Sequence, residues 1–252
     1  MAKQSGLIKI KGTLDDVTFY KRQNSFLARM KGGIDGKRIK SDPRFQRTRE
    51  NMAEFQEASA MAKLFRQAFQ ISSKNIKDVR THNRLFAYMS GILKTDPVSN
   101  RGQRKVALGE IDLLKGFEFN SQAKLEATLQ APQPEITLDG AELVLSYLNL
   151  NPSAQISSPP NTTHFRLLAA VGAVDFENKD SKEILSSTEN LLLEEIQENL
   201  NLTLNIEGLE SYHKYLAVGI EFLDEINGKF YALQNRTHNG LSIIHYIPKD
   251  EG

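Results

Sequence analysis

Apolar residues recur with two different periods along this chain, and the change of period divides it. Phe45, Met52, Phe55, Ala62, Phe65 and Phe69 return every three, four or seven residues, which predicts one stripe on a helix of about seven turns. Asp42-Pro43 supplies its start: a side-chain oxygen at the cap and a proline at the first helical position. A second stripe, Ile76, Val79, Phe86, Met89 and Leu93, is widened by Leu85, Tyr88 and Ile92. It predicts a helix capped by Ser72 or Ser73 and running to about Leu93. The short link between the two helices implies an antiparallel helical hairpin.

On either side of these helices the period is two. Residues 7–11 alternate and predict a short strand, and residues 16–22 and 26–30 flank Gln23-Asn24-Ser25 as a β-hairpin. Val17 and Phe19 fall on one face of it, Thr18 and Tyr20 on the other. So few apolar residues make such a ribbon marginal alone, and a helix or a partner chain must cover one face. Gly32, Gly33 and Gly36 predict a tight turn; they are no P-loop, because the Gly-Lys-Ser/Thr ending is absent.

Near Gly116 the helical period gives way. Strands are predicted at 124–130, 135–138, 142–148, 163–171, 173–177, 184–188, 200–206, 213–225, 229–234 and 241–247. Asp139-Gly140, Asn151-Pro152 and Pro159-Pro160 separate them, and Asn227-Gly228 between alternating runs is the strongest hairpin signal. Residues 191–200 fit a strand or a helical turn. The expected fold is α+β: a β-hairpin with an antiparallel two-helix module over 1–115, then an antiparallel, immunoglobulin-like β-sandwich over 116–252.

Charge sharpens this division. The 252 residues carry a net charge of only +1, but residues 1–105 hold 23 Lys/Arg against 9 Asp/Glu, and residues 106–252 hold 9 against 22. Such segregation suggests a basic module that engages an anionic surface. Its candidate contacts are Lys21, Arg22, Arg29, Lys31, Lys37, Arg38, Lys40, Arg44, Arg47 and Arg49, with Phe19, Tyr20 and Phe26 available to stack or pack. Local explanations compete: lysines blunt an exposed sheet edge, and the helix arginines can pair with Glu50 and Glu54. Lys74, Lys77, Arg80 and Arg84 would extend the basic face along the second helix.

Composition excludes some chemistry. No cysteine is present, so disulfides and thiolates are absent. His82, His164, His213, His238 and His245 show no HExxH spacing, and no metal or other cofactor is expected. Glu194-Glu195 and Asp224-Glu225 read as surface charge rather than an acid/base pair, and no nucleophile motif occurs. An enzyme is not expected. No apolar run matches a signal peptide or a membrane span, so a cytoplasmic location is the expectation, although export without a cleaved leader would leave the same sequence.

Gly12-Thr13, Val17-Thr18-Phe19-Tyr20-Lys21, Ala28-Arg29, Lys31-Gly32-Gly33, the run from Asp42 to Asn51 and Glu54-Phe55 together resemble the N-terminal signature of a family of Bacteroidota proteins of unknown function. Gly116-Phe117-Glu118-Phe119-Asn120 and Val218-Gly219-Ile220-Glu221-Phe222 resemble it again. The resemblance is specific over residues 6–69 and loose elsewhere, and residues 73–94 depart from it. It implies the two-part layout with a strand-rich second half, and no activity.

Three functional readings follow. The first is a non-enzymatic structural or assembly protein whose basic module docks on acidic surfaces or sheet edges of other copies or of an acidic partner. The second is nucleic-acid binding by the same module. The third is ligand capture at the sandwich loops, with Tyr212, Tyr215 and Tyr231 as candidate aromatics.

Overall fold

The computed structural model describes residues 2–160, 162–233 and 236–250. It forms two compact units, Met1–Asn51 and Met52–Gly252.

In the first unit, β1 (Ala2–Lys3), β2 (Gly12–Leu14), β3 (Val17–Arg22) and β4 (Ser25–Met30) make a four-stranded antiparallel sheet in the order β1-β4-β3-β2. Its centre is the predicted hairpin, closed by Gln23-Asn24 with Arg22 opposite Ser25. Gln23 takes φ 53°, the left-handed conformation that two-residue hairpin turns demand. Residues 7–11 are not a strand here. β1 and β2 lie on opposite edges, so the chain between them must cross the sheet's width, about 14 Å at ~4.8 Å per strand spacing. That path cannot also run alongside a strand of the same sheet.

After Gly32-Gly33 the expected turn continues into a short helix, α1 (Gly36–Ser41), because Asp35 caps it by accepting the Lys37 N–H at 3.0 Å. Asp42, extended at φ −74° and ψ 126°, stops α1 and caps the next turn by accepting the Arg44 N–H at 3.0 Å. Pro43 opens a 3-10 turn that leads into α2 (Gln46–Gln67), as the sequence predicts.

In the second unit only the later half of the α2 stripe is buried. Ala58, Met61, Ala62, Leu64, Phe65, Ala68 and Phe69 are inside, whereas Met52 and Phe55 are 59% and 61% exposed. The second helix, α3 (Thr81–Lys94), starts later than predicted: Ser72–Asn75 is an isolated 3-10 turn. The Glu183 carboxylate accepts the N–H groups of Ile71 and Ser72, both at 2.7 Å, and so satisfies this turn from a distant part of the chain. Val79, counted in the predicted stripe, is exposed, while Leu85, Met89, Ile92 and Leu93 are buried.

The remaining elements are α4 (Leu125–Thr128), β5 (Glu135–Asp139), β6 (Glu142–Leu150), α5 (Pro152–Gln155), β7 (His164–Asp175), β8 (Asp180–Ser187), β9 (Leu191–Leu192), β10 (Gln197–Asn205), β11 (His213–Ile226), β12 (Lys229–Ala232) and β13 (Gly240–Ile247). One sheet has the order β10-β6-β5; the other runs β12-β11-β7-β8, with β13 also on β11 and β9 also on β7. All pairings are antiparallel, and the sheets include a curled half-barrel.

β7 and β11 are buried on both faces, which is why LLAAVGAV and YLAVGIEFL read as nearly continuous apolar runs. On one face Ala170, Val174, Tyr215 and Ala217 share a core with α2 and α3. On the other, Phe165, Leu167, Ala169, Leu216, Val218 and Phe222 share a second core with Leu143, Leu145, Leu202 and Leu204 of the smaller sheet. The layers are therefore helices, large sheet, small sheet.

Val106, Ile111, Leu114, Phe117 and Phe119 lie in the same core as α2 and α3. Gly116 and Phe119 also donate backbone N–H groups to Ile243 and Leu241 of β13, both at 2.8 Å. The change of period near Gly116 thus falls inside one packed unit. Residues 124–130, predicted as a strand, contain α4: Leu125 and Leu129 are both buried at helical spacing. The strands predicted at 163–171 and 173–177 are one strand through Gly172, and 191–200 holds a turn between β9 and β10. Residue 234, at the end of the predicted strand 229–234, lies outside the described residues.

Candidate functional site

The N-terminal sheet has two chemically different faces. Cross-strand partners point the same way, so Val17 opposite Met30, Phe19 opposite Ala28, Lys21 opposite Phe26, and Leu14 opposite Val17 define one face. That face is apolar except for Lys21. The other carries Thr13, Thr18, Tyr20, Arg22, Ser25, Leu27 and Arg29. No described residue between Ala2 and Asn51 is buried. Leu14 is 71% and Met30 68% exposed, and Val17, Phe19 and Phe26 are only half-buried. A fully buried Val or Phe contributes about 1.5–3 kcal/mol, and the apolar face of this unit realises only part of that.

The candidate cations all belong to this unit, but they do different things. Lys21 sits 5.7 Å from the Phe26 ring and Arg29 5.5 Å from the Tyr20 ring, each a diagonal or cross-strand cation–π contact. Arg38 pairs with Asp42 at 3.2 Å and Arg47 with Glu50 at 3.0 Å, both local helical pairs worth little on a solvated surface. Arg49 donates to the carbonyls of Ile39 (2.8 Å) and Asp42 (2.9 Å), so it ties the open end of α1 to the start of α2. Arg22, Lys31, Lys37, Lys40 and Arg44 are exposed and have no carboxylate partner among the described residues. The unit holds 13 Lys/Arg against 5 Asp/Glu, so its excess charge is uncompensated locally.

The extension of the basic face along α3 is different. Arg84 donates to the Asp78 carboxylate at 2.7 Å and to the carbonyls of Glu118 (2.6 Å) and Phe119 (3.2 Å). It is a structural tie, not a free cation. Burial raises the Asp78 pKa, but hydrogen bonds from Ser121, Arg80 and Arg84 outweigh it and hold the carboxyl well below the usual range.

A cleft of about 570 Å³ in the second unit is lined by Arg84, Tyr88, Glu118, Leu125, Tyr147 and Ser242, among others. Burial raises the Glu118 pKa, opposed by hydrogen bonds from Leu125 and Ser242. Burial also pushes the Tyr147 hydroxyl upward, so it stays protonated. Of the loop tyrosines, Tyr215 is fully buried and donates to the Ile111 carbonyl at 3.1 Å. Tyr212 donates to Asp180 at 2.6 Å, and Tyr231 is half-exposed. They do not form one aromatic platform.

Among the described residues no three His, Cys, Asp or Glu side chains group as metal ligands. No described helix is long and apolar enough to cross a membrane. Sequence periodicity located the two-faced ribbon; it missed Asp35 as a helix cap and Arg49 as a backbone tie, for which only the Asp35–Lys37 spacing was a signal. Comparison with family models, curated proteins and solved structures finds no match to this chain.

Proposed function

We propose that the chain is a non-enzymatic structural or assembly protein whose basic N-terminal unit docks on acidic surfaces or sheet edges of neighbouring copies, or of an acidic partner. One observation carries this reading: a patterned sheet with an apolar face of Leu14, Val17, Phe19, Phe26, Ala28 and Met30 contains no buried residue. Alternation of this kind has no stabilising value unless something covers the face. The five exposed, unpaired cations favour an anionic cover, and residues 52–252 hold 19 Lys/Arg against 26 Asp/Glu. Nucleic acid is the second reading, favoured by those five cations together with Lys21 and Arg29, which lie against the half-exposed rings of Phe26 and Tyr20.

The finer architecture is part of this reading. An immunoglobulin-like sandwich is supported by two antiparallel sheets facing each other across one core; the helices on the far side of the large sheet are an addition to it. A helical hairpin is supported by the shared core of α2 and α3 and by Phe55 and Phe86, whose rings lie 4.6 Å apart. Kinship with the Bacteroidota family is likewise proposed, on residues 6–69.

Size-exclusion chromatography with light scattering across a salt series, with and without duplex and single-stranded DNA, tests the function. Self-association at low salt that weakens as salt rises is the expected result. A monomer at high concentration and low salt overturns it, and DNA-dependent association alone selects the second reading.

A further inference from the structure

We infer that residues 7–11 of one copy add as a strand to the free edge of β5 in a second copy; this rests on the assembly reading and names its two surfaces. β5 is the terminal strand of β10-β6-β5, and its backbone pairs only with β6 among the described residues. Ile136 and Leu138 stand opposite Leu145 and Leu143, both fully buried, so they share the core-facing side. Leu138 is nonetheless 51% exposed, because the core has no further strand beyond it. Glu135, Thr137 and Asp139 occupy the opposite, solvent side.

The donor has the complementary pattern. Leu7, Ile8 and Ile10 are 104%, 84% and 51% exposed. In an extended conformation Ile8 and Ile10 share one side, and Leu7, Lys9 and Lys11 the other. Laid along β5, Ile8 and Ile10 continue the row of Ile136 and Leu138. Lys9 then falls beside Thr137 whichever way the strand runs, and Lys11 beside Glu135 or Asp139. One opposite-charge pair, Lys11 with Glu135 or Asp139, meets on the solvent side, where Leu7 falls beside the other carboxylate, while the apolar residues Ile8 and Ile10 meet the core side.

The donor's own hydrogen bonds fit this use. The Gln4 side chain accepts the Ile10 N–H at 2.9 Å and donates to the Ile10 carbonyl at 3.2 Å, the two bonds that a neighbouring strand would make. The backbones of Leu7, Ile8 and Lys9 have no partner among the described residues. Lys9 Nζ donates to the carbonyls of Gln4 and Gly6, each at 2.6 Å, and would release them on addition. Five extended residues cover about 17 Å, comparable with the width of sheet that this segment already crosses.

The chain has no cysteine, so single substitutions report contacts cleanly. Full-length Lys9→Cys and Thr137→Cys chains, each folded as judged by circular dichroism, are mixed and oxidised. The expected product is a disulfide-linked pair containing one of each, because facing residues lie within disulfide reach. Lys9→Cys with Asn205→Cys, on the far strand of that sheet, should not link. Ile8→Asp/Ile10→Asp should weaken self-association at least about tenfold. Self-association without the Lys9–Thr137 link overturns this inference and leaves the assembly reading intact. A link formed only within a single chain carrying both cysteines also overturns it. A chain that stays monomeric under all conditions removes both.

Discussion

The ring of Phe69 lies directly on the backbone of Gly172, and a Cβ placed at Gly172 would collide with two of its ring carbons. Tyr215 stands opposite Gly172 on β11, and Phe65 meets Tyr215 edge-on at 5.0 Å and 79°. The missing side chain on β7 is what lets the end of α2 reach the sheet. Gly172→Ala should therefore destabilise by about 1–3 kcal/mol, the cost of overpacking a closed core. Adding Phe69→Leu should recover part of that loss, since neighbouring sites are not additive. Urea titrations of the single and double variants measure both.

Arg84, on α3, ties the Asp78 carboxylate before that helix to the carbonyls of Glu118 and Phe119 after it. Arg84→Met keeps the apolar stem but leaves the Glu118 carbonyl without this donor and removes the charged partner of Asp78, which keeps its bonds from Arg80 and Ser121. The expected loss is about 2–3 kcal/mol, read as a lower urea midpoint at unchanged slope.

Asp96 accepts the N–H groups of Val98 (2.9 Å), Ser99 (3.1 Å) and Lys105 (3.0 Å), closing the 96–105 loop. The Lys105 N–H contributes most to holding its pKa down at about 2, against an ordinary 3.8. A carboxyl depressed in the folded state binds protons more tightly once unfolded. Its contribution is complete above the unfolded value and is lost as pH falls from about 4 toward 2. Melting temperature should drop steeply across that window, and Asp96→Asn should flatten the drop. Asp78, also depressed, adds to the same acid limb and should still leave a slope in that variant.

The cations of the N-terminal unit separate by role. Lys37→Glu/Lys40→Glu/Arg44→Glu alters exposed side chains without carboxylate partners, so stability should change by no more than about 0.5 kcal/mol per site. Its salt-dependent association should disappear. Arg49→Ala should do the reverse: it loosens the α1–α2 junction, seen as faster amide exchange at Ile39 to Arg44, without changing the sign of the surface.

Local chemistry alone determined the parts of this protein whose conformation depends on near neighbours. Gln23-Asn24 closes a hairpin, Asp42-Pro43 starts a helix, and Asn227-Gly228, at φ 52° and 73°, turns β11 into β12, each within a few residues. The apolar face of Val17 and Phe19 and the excess of cations beside it were also legible, because period and charge need no partner to be counted. Tertiary structure decided what such patterns cannot encode. α2 buries only its second half, Leu125 and Leu129 turn 124–130 into a helix, and residues 7–11 cross a sheet instead of joining it. β7 and β11 carry apolar residues on both faces because each is covered twice, by helices and by a second sheet. Burial is a property of what arrives from elsewhere in the chain, and so the same alternation could be read as strand, helix or loop until the layers were assembled.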